Sequence, residues 1–472
     1  MKKLIFLLTL GCFAASGQKF HQEILKSMDS KTEGYAKAAK QIWEFAEVGY
    51  KETKSSALLQ KMLADAGFTI EAGVAGIPTA FVASAGSGKP VIAILGEYDA
   101  LPGVAQEAVP ESKPIPGQRA GHACGHHLFG VASAAAAIEV KNWLASGKRS
   151  GTIRFYGTPA EEGGSGKVYM VREGLFEGVD VVLNWHPGDG NDASAGSSLA
   201  NKTGKFRFYG VSSHAAVAPE RGRSALDAVE AMNIMVNMMR EHVTEKSRIH
   251  YVITRGGEAP NVVPAFAEVY YYVRHPKRSE VKDMWERLVR IANGAAMGTD
   301  TRVEIEVIGG VYELLPNDAL AAVMQKNLQE VGGFAYSPEE QQFAEKIQKT
   351  LSGQVPPLSQ TSIVAPSKKA TEAGSTDVGD VSWVVPTIGL STATWVPGTA
   401  PHSWQAVAAG GTSIGTKGMM VAAKTMAITA ADLFSDPKVI EAGWKEFRER
   451  TGAGFKYESL LGDRKPALNY RD

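Results

Sequence analysis

The sequence predicts an α/β protein in which a mixed, mostly parallel sheet is interrupted by a smaller α+β domain. The first observation is a series of short apolar runs, at residues 91–95, 152–156 and 179–183, each bounded by turn residues. Runs that are apolar throughout indicate strands buried on both faces, as in a parallel sheet. The second observation is the length of 472 residues, which indicates two domains. The third is a different order of predicted strands and helices after residue 205.

Helical segments precede and separate these strands. Apolar residues recur three and four positions apart in residues 35–46, and a second helix is predicted at 55–66, ending at Gly67. Residues 128–144 are rich in alanine and apolar on nearly all sides, which is typical of a helix inside a core. The closing helix of the larger domain is predicted at residues 416–433.

The middle of the chain has the order strand, helix, strand, strand, helix, strand, which suits a ferredoxin-like sheet with two helices on one face. The strands are predicted at 205–211, 248–254, 265–274 and 301–307, and the helices at 224–243 and 278–294. We therefore expect an inserted domain. The predicted divisions are a signal peptide, 1–17; the first part of the larger domain, 18–199; the insertion, 200–310; the second part, 311–440; and a C-terminal extension, 441–472.

The N-terminal residues have the pattern of a secretory signal peptide. Lys2 and Lys3 precede the apolar residues 4–10, and small residues follow up to a cleavage site after Gly17. This pattern predicts a periplasmic or secreted protein; a lipid anchor at Cys12 and a cytoplasmic location are the alternatives. Cleavage would leave Cys124 as the one cysteine, so no disulfide could form within the chain.

The composition argues against two kinds of partner. Lysines and arginines number 50, as do aspartates and glutamates, so no net charge would attract a nucleic acid. The apolar N-terminal run is too short to cross a bilayer as a helix. We therefore expect a small-molecule substrate, no nucleic acid and no membrane span.

The strongest chemical signal is the segment 121–127, Gly-His-Ala-Cys-Gly-His-His, directly before the predicted core helix. The thiolate of Cys124 and the imidazole of His126 are close enough along the chain to face one metal ion. The N-terminus of the helix would help to keep the thiol deprotonated. Three histidines and one cysteine within six residues indicate a metal site rather than an ordinary loop.

Further candidate groups come after apolar strand runs. Glu161 and Glu162 follow one run, and His186 and His402 follow two others. Ligand sites of open α/β sheets lie outside the carboxyl ends of the strands, so we expect these side chains to converge. One of the two carboxylates can bind metal while its neighbour acts as general base. Taken alone, the glutamate pair would more often be a solvated turn.

The number of donors predicts a two-metal centre. The candidate ligands are Cys124, His126, Glu162, His186 and His402. Five protein donors are too many for one tetrahedral catalytic ion with an open position, but they suit two ions that share a bridging group. Such a pair can share a hydroxide and polarise a carbonyl. We expect zinc or manganese, and the alternatives are cobalt and nickel.

These residues resemble the aminoacylase and hippurate-hydrolase branch of the dinuclear metallopeptidases. The likeness covers most of the chain after residue 35. Its motifs are Gly-Glu-Tyr-Asp-Ala-Leu-Pro at 96–102, His-Ala-Cys-Gly-His at 122–126, Glu-Glu-Gly at 161–163, His186 and His402. The resemblance implies a zinc-exopeptidase-like catalytic domain with an inserted lid or dimerisation domain, two divalent metal ions and a homodimer.

The resemblance also implies roles for single residues. The five candidate ligands would hold the two metals, Glu161 would be the general base, and Asp99 would orient a ligand. His214 matches a lid histidine that stabilises the tetrahedral intermediate, often in the partner subunit's site, and Asn261 matches a lid residue that contacts substrate. From the residues alone, both would be turn or hairpin residues. His127 stands where many relatives have aspartate.

The predicted reaction is hydrolysis of the amide bond in a small N-acyl amino acid, and the resemblance favours substrates of the p-aminobenzoyl-glutamate type. Glu161 would take a proton from the attacking water and pass it to the leaving amine. A cation should hold the free carboxylate, and Arg223, Arg255 and Arg274 are candidates. The alternatives are a general aminoacylase or dipeptidase, with or without a second subunit, and, in another class, a non-catalytic partner subunit or binding protein.

Overall fold

The computed structural model describes residues 19–367, 369–371 and 374–471, so the predicted signal peptide and Cys12 lie outside the described residues. Helix α1 covers residues 19–29. The other helices are α2 (Thr32–Phe45), α3 (Thr53–Asp65), α4 (His126–Ser146), α5 (Glu161–Gly164), α6 (Gly166–Arg172), α7 (Ala225–Met239), α8 (Arg278–Gly298), α9 (Asp318–Val331), α10 (Pro338–Gln348), α11 (Val378–Ser382), α12 (Trp404–Gly410), α13 (Ser413–Ser435) and α14 (Pro437–Thr451). The strands are β1 (Thr69–Ala72), β2 (Phe81–Ser87), β3 (Val91–Gly96), β4 (Leu101–Pro102), β5 (Ala120–Gly121), β6 (Gly151–Gly157), β7 (Val181–Leu183), β8 (His186–Gly188), β9 (Asp192–Ser194), β10 (Ala200–Tyr209), β11 (Arg248–Arg255), β12 (Phe266–His275), β13 (Arg302–Val311) and β14 (Thr387–Ala393).

The larger sheet is mixed and mostly parallel, which confirms the predicted fold class. Its strand order is β1-β2-β6-β3-β7-β14-β8, and β9 pairs with β14. Strands β6, β3, β7, β14 and β8 run parallel, whereas β1, β2 and β9 pair antiparallel. All six residues of β3 are buried. Helices on the sheet exclude water from this strand, which explains its unbroken apolar run.

Helix α4 is the core helix predicted from the alanine-rich segment. It packs against β3, β6 and helix α13, and sixteen of its residues are buried. The helix begins at His126, two residues earlier than predicted. Gly125, at φ 75°, turns the chain into the helix, and a Cβ there would lie only 2.6 Å from Pro187 Cβ. This glycine therefore lets the loop that carries Cys124 (residues 121–125, the cysteine loop) approach strand β8 closely.

The smaller sheet has the strand order β11-β12-β10-β13, with every pair antiparallel. With α7 between β10 and β11, and α8 between β12 and β13, this is the ferredoxin-like arrangement. Residues such as Phe206, Tyr271 and Val273 are buried with residues of the two helices. Strand β10 begins at Ala200, five residues earlier than predicted, because its polar start is hydrogen-bonded between two neighbouring strands.

The chain returns to the larger domain after β13. Helix α13 packs against α4 and α9, and α14 follows it, spanning the predicted division at residue 440. Residues 452–471 continue from α14 without a long regular element. None of the helices within the described residues is long and apolar enough to cross a membrane.

Candidate metal centre

The candidate ligands meet at one edge of the larger sheet. Strands β6, β3, β7 and β14 are parallel neighbours, so their carboxyl ends lie side by side. Glu161 and Glu162 follow β6, His186 follows β7, and His402 follows β14. The cysteine loop and the first turn of α4 supply the other donors at the same edge. The predicted convergence of strand-end residues is therefore what the topology produces.

Two groups of donors share the same thiol. In the first, donor atoms of Cys124, His126 and His186 all lie within 4.8 Å of one another. In the second, Cys124 is joined by Glu162 and His402 within the same distance. The structure thus brings together all five residues that the sequence suggested as ligands. Two groups with one common sulfur are the arrangement expected for two neighbouring cations with a bridging ligand.

Asp99 is hydrogen-bonded to one member of each donor group. Its Oδ1 accepts a hydrogen bond from His126 Nδ1 (2.8 Å), which leaves the ring's Nε2 facing the centre. Its Oδ2 accepts from the backbone N–H of Glu162 (2.9 Å). Asp99 is 1% exposed, so these bonds are shielded from water. The predicted orienting position of Asp99 is therefore compatible with its contacts.

The other two histidines are also held by their surroundings. His186 Nδ1 donates to the Pro187 carbonyl (2.7 Å), and its Nε2 lies 3.4 Å from Cys124 Sγ. His402 adopts a left-handed backbone conformation, with φ 60°, and its N–H donates to the carbonyl of Ala123 (3.0 Å). This bond joins the His402 loop to the cysteine loop, so the two donors are positioned together.

Several buried polar atoms in this centre fit a metal ion. His126 Nε2 lies 3.0 Å from Glu97 Oε2, yet within the residues that the structure describes neither atom has a hydrogen-bond partner. Glu162 Oε1, 3.1 Å from His402 Nε2, likewise has none. Buried polar atoms in native proteins are nearly always paired, so unpaired ligand atoms that face each other indicate a site for a cation. Thiol, imidazole and carboxylate are the usual ligands of zinc.

The pKa values of the two neighbouring glutamates are shifted in opposite directions. Burial, followed by the negative charges of Glu97 and Glu162, raises the pKa of Glu161 well above its usual 4.5. Burial also raises the pKa of Glu162, but His402 and His126 outweigh it and the pKa is lowered overall. One carboxyl of the pair is therefore disposed to take up a proton while the other stays ionised. This is the division expected of a base beside a ligand.

A buried ion-pair cluster beside the centre was missed by the sequence reasoning. The Lys167 ammonium is fully buried, 2.6 Å from Glu97 Oε1 and 2.7 Å from Asp377 Oδ1. Glu97 also forms a third possible donor group with His126 and Glu161. Its position directly after β3 was a signal for a site residue, by the same rule as for the other strand ends. Lys167 and Asp377 carried no such signal.

A cavity of about 940 Å³ opens on the metal centre. Its other wall includes Asn201, Thr203, Tyr272 and Arg274 from the smaller sheet. The cavity is thus large enough for a small N-acyl amino acid and lies between the two sheets. Of the predicted carboxylate-binding arginines, Arg274 lines this cavity.

The remaining predicted residues lie elsewhere in the single chain. Arg223 is paired with Asp300 at 2.7 Å, and Arg255 with Glu258 at 3.1 Å, both on the surface. The exposed His214 forms an isolated bridge with Val262, next to Asn261, and none of these residues lines the cavity. The suggested roles of Arg223 and Arg255 stay predictions, and those of His214 and Asn261 stay predictions that depend on a second copy of the chain.

Comparisons with known proteins agree with this geometry. The family model of peptidase family M20/M25/M40 matches residues 93–375. Over 466 residues the chain is 43% identical to one of the subunits of p-aminobenzoyl-glutamate hydrolase from Escherichia coli strain K12, covering 91% of this chain and 96% of that protein. It is 29% identical over 454 residues to Xaa-Arg dipeptidase of Mus musculus, covering 92% of this chain and 94% of that one.

The fold is similar to that of solved structures as well. A dinuclear metal-binding peptidase of the M20 family from Bacillus subtilis matches with a TM-score of 0.56 at 16% sequence identity, covering 86% of this chain and 99% of that chain. The family match begins within β3 and includes the cysteine loop, both glutamates and His186. We conclude that this chain belongs to peptidase family M20/M25/M40 and is a hydrolase of amide bonds.

Proposed function

We propose that this chain hydrolyses small N-acyl amino acids at a two-metal centre, and that compounds of the p-aminobenzoyl-glutamate type are its substrates. The observation that carries the proposal is the meeting of five donor side chains, four of which line the same cavity as Glu161. The substrate type is supported by the Escherichia coli relative, which is 43% identical over nearly its whole length. The dipeptidase and general aminoacylase activities of the family are the alternatives within the same chemistry.

The residues that would hold the ions follow from the two donor groups. Cys124, His126 and His186 would hold one, and Cys124, Glu162 and His402 the other. When bound, a pair of divalent ions supplies a Lewis acid for the substrate carbonyl and lowers the pKa of water. We propose zinc or manganese, which elemental analysis of the purified protein would distinguish.

The chain's own residues account for the proton transfers. Glu161 lies in the wall of the cavity beside the donor groups, in a position to take a proton from the attacking water. It then gives that proton to the leaving nitrogen, so that the product departs as a neutral amine rather than as an anion. Arg274, which lines the same cavity, would hold the free carboxylate of the substrate.

The test is turnover by the purified chain alone, with zinc or manganese restored. The substrate panel is p-aminobenzoyl-glutamate, hippurate and an Xaa-Arg dipeptide. Glu161→Gln should keep the metal content of the wild type while kcat falls by about 10²- to 10⁴-fold. Normal turnover by this variant would exclude Glu161 as the base. Because the Escherichia coli relative is one subunit of its enzyme, activity of the lone chain would also show that no second subunit is required.

We further propose that the chain forms a homodimer through the smaller domain. Strand β11 is the edge of its sheet, and it exposes apolar side chains, with Val252 56% exposed and Ile253 40%. Helix α7, which packs on the adjacent strand β12, exposes Ile234 (56%) and Met238 (62%). An apolar, unpaired sheet edge is a surface that another chain can cover.

The proposed location is the periplasm or the extracellular space, after cleavage behind Gly17. The support is the sequence pattern of residues 1–17, a charged start, an apolar run and small residues. N-terminal sequencing of the exported protein would give Gln18 as its first residue. Recovery of a full-length chain from the cytoplasm would contradict the proposal.

A further inference from the structure

Residues 452–471, the C-terminal segment, are held against both domains. Arg172 of the larger domain donates to the carbonyl of Gly462 (2.9 Å). Arg464 donates to the carbonyl of Ile308 on β13 of the smaller sheet. The sequence alone suggests no role for this segment, but its contacts fix its path across the molecule.

The segment reaches the turn that carries Glu161 and Glu162. The Tyr470 hydroxyl donates to the backbone carbonyl oxygen of Glu162 (2.9 Å), and Arg471 Nη2 donates to the same oxygen (2.5 Å). The turn itself lies between two left-handed residues, Ala160 and Ser165. Two donors from the C-terminal segment thus meet at one carbonyl of the candidate active site.

Arg471 also contributes to the wall of the cavity. Arg471 lines it together with Glu162 and Gly163. Its Nε is buried and has no hydrogen-bond partner among the described residues. A guanidinium carries five N–H donors in a fixed plane, and leaving one of them buried and unpaired is costly. A carboxylate in the cavity would bring a further acceptor to this guanidinium.

Arg274 has the same property on another wall. It lies on β12, where its guanidinium carbon is 5.5 Å from the centre of the Tyr272 ring, and its buried Nε has no hydrogen-bond partner in the described part of the chain. Among the lysines and arginines that the structure describes, Arg274 and Arg471 are the two that line the cavity. They come from different domains and different stretches of the chain. A substrate with a single carboxylate would pair with only one of them.

We propose that Arg471 is a specificity-determining residue that binds the side-chain carboxylate of the departing amino acid, while Arg274 binds its α-carboxylate. The preferred substrates are then N-acyl derivatives of dicarboxylic amino acids. Guanidinium groups suit this task because two of their N–H groups can donate to one carboxylate. This inference rests on the proposed amidohydrolase function and adds to it the residue that selects the acidic side chain.

The test is equilibrium binding, measured by calorimetry on the metal-restored Glu161→Gln protein, in which turnover is suppressed. The two probes are N-benzoyl-glutamate and N-benzoyl-glutamine, which have nearly the same size and differ in one carboxylate. Arg471→Gln removes the cation, and Arg471→Lys keeps a positive charge. Tyr470→Phe is the matched control, because it removes the other hydrogen bond to the Glu162 carbonyl and leaves the charge in place.

We expect Arg471→Gln to raise the Kd of N-benzoyl-glutamate by about 10- to 100-fold, as for the loss of a charged hydrogen bond. The Kd of N-benzoyl-glutamine should stay unchanged, and Arg471→Lys should recover part of the loss. Tyr470→Phe should change both constants by the same factor. Equal losses for both probes in Arg471→Gln would show that Arg471 only supports the turn. No loss for either probe, or no binding to the protein with Arg471 intact, would also overturn the proposal.

Turnover of the same two compounds by the wild-type chain tests the proposed function separately. If the wild type hydrolyses neither compound, the proposed reaction is wrong. A selective loss of N-benzoyl-glutamate binding in Arg471→Gln would still support the assignment of Arg471. If the wild type hydrolyses both compounds equally well and Arg471→Gln changes neither binding constant, the reaction stands and the assignment fails.

Discussion

His126 Nδ1 lies 2.8 Å from Asp99 Oδ1, in a part of the protein that water does not reach. The second oxygen of the same carboxylate accepts from the backbone of Glu162. His126 and Glu162 belong to different donor groups, which share Cys124. Asp99 therefore fixes a ring in one group and a backbone in the other. Metal affinity should depend on this residue although it is not itself a proposed ligand.

Asp99→Asn is expected to weaken metal binding by about 10- to 100-fold, because an amide is a poorer acceptor for the His126 ring and carries no charge. Competition between the protein and a chelating dye measures the affinity. The control is Asp65→Asn, an exposed aspartate on α3 that pairs with Lys61. If both variants bind metal as tightly as the wild type, Asp99 does not orient the centre.

Lys167→Met is expected to destabilise the metal-free protein by about 3–5 kcal/mol, because it leaves the buried carboxylates of Glu97 and Asp377 without their cation. Urea unfolding followed by circular dichroism measures the change in free energy of unfolding. The control, Lys61→Met, breaks an exposed pair with Asp65 and should cost at most about 1 kcal/mol. A loss as small as that of the control would mean that the buried cluster is not needed for stability.

The sequence was most informative about functional side chains that come directly after a strand. Glu162, His186 and His402 come after apolar runs, and parallel neighbours bring such strand ends to one edge. That prediction needed only the local sequence pattern and did not depend on contacts between distant segments. The order of elements also predicted the smaller domain, because the segments that form its four strands and two helices differ clearly in periodicity.

Other residues could not be identified from local pattern. Lys167 pairs with Asp377, 210 positions further along, and a lysine within a helix usually indicates a solvated face. Arg471 is 309 positions from Glu162, and the mixed composition around it suggested no element. Such pairings depend on how distant segments pack. Periodicity and motif spacing do not contain that information.

The stability contributed by His21 should depend on pH. Burial lowers the pKa of this histidine, but its hydrogen bonds to Asp432 and Glu330 outweigh burial and raise the pKa above 6.5. The charged ring therefore stabilises the folded state fully below about pH 6.5, and this contribution is lost as pH rises through the folded pKa. Urea unfolding of His21→Gln should show a larger loss of stability at pH 6 than at pH 9. An equal loss at both values would contradict the ion-pair assignment.

Val252→Asp is expected to convert the proposed dimer into a monomer, because it places a charge on the apolar edge of β11. Light scattering coupled to size-exclusion chromatography measures the mass in solution. Met297→Asp, on α8, is the matched control, since Met297 is 84% exposed and lies away from that edge. A dimer that survives Val252→Asp but not Met297→Asp would place the interface on the helix side of the smaller domain.

Mixing two inactive proteins tests whether His214 acts on the partner subunit. His214 and Asn261 are adjacent and exposed, and neither lines the cavity of its own chain. In a mixed dimer of His214→Ala and Glu161→Gln chains, the first chain keeps Glu161 and receives His214 from the second. After random exchange of subunits, about a quarter of the wild-type rate should return, because half of the dimers are mixed and each has one complete site. If His214 acts within its own chain, both sites of a mixed dimer lack one residue and no activity returns.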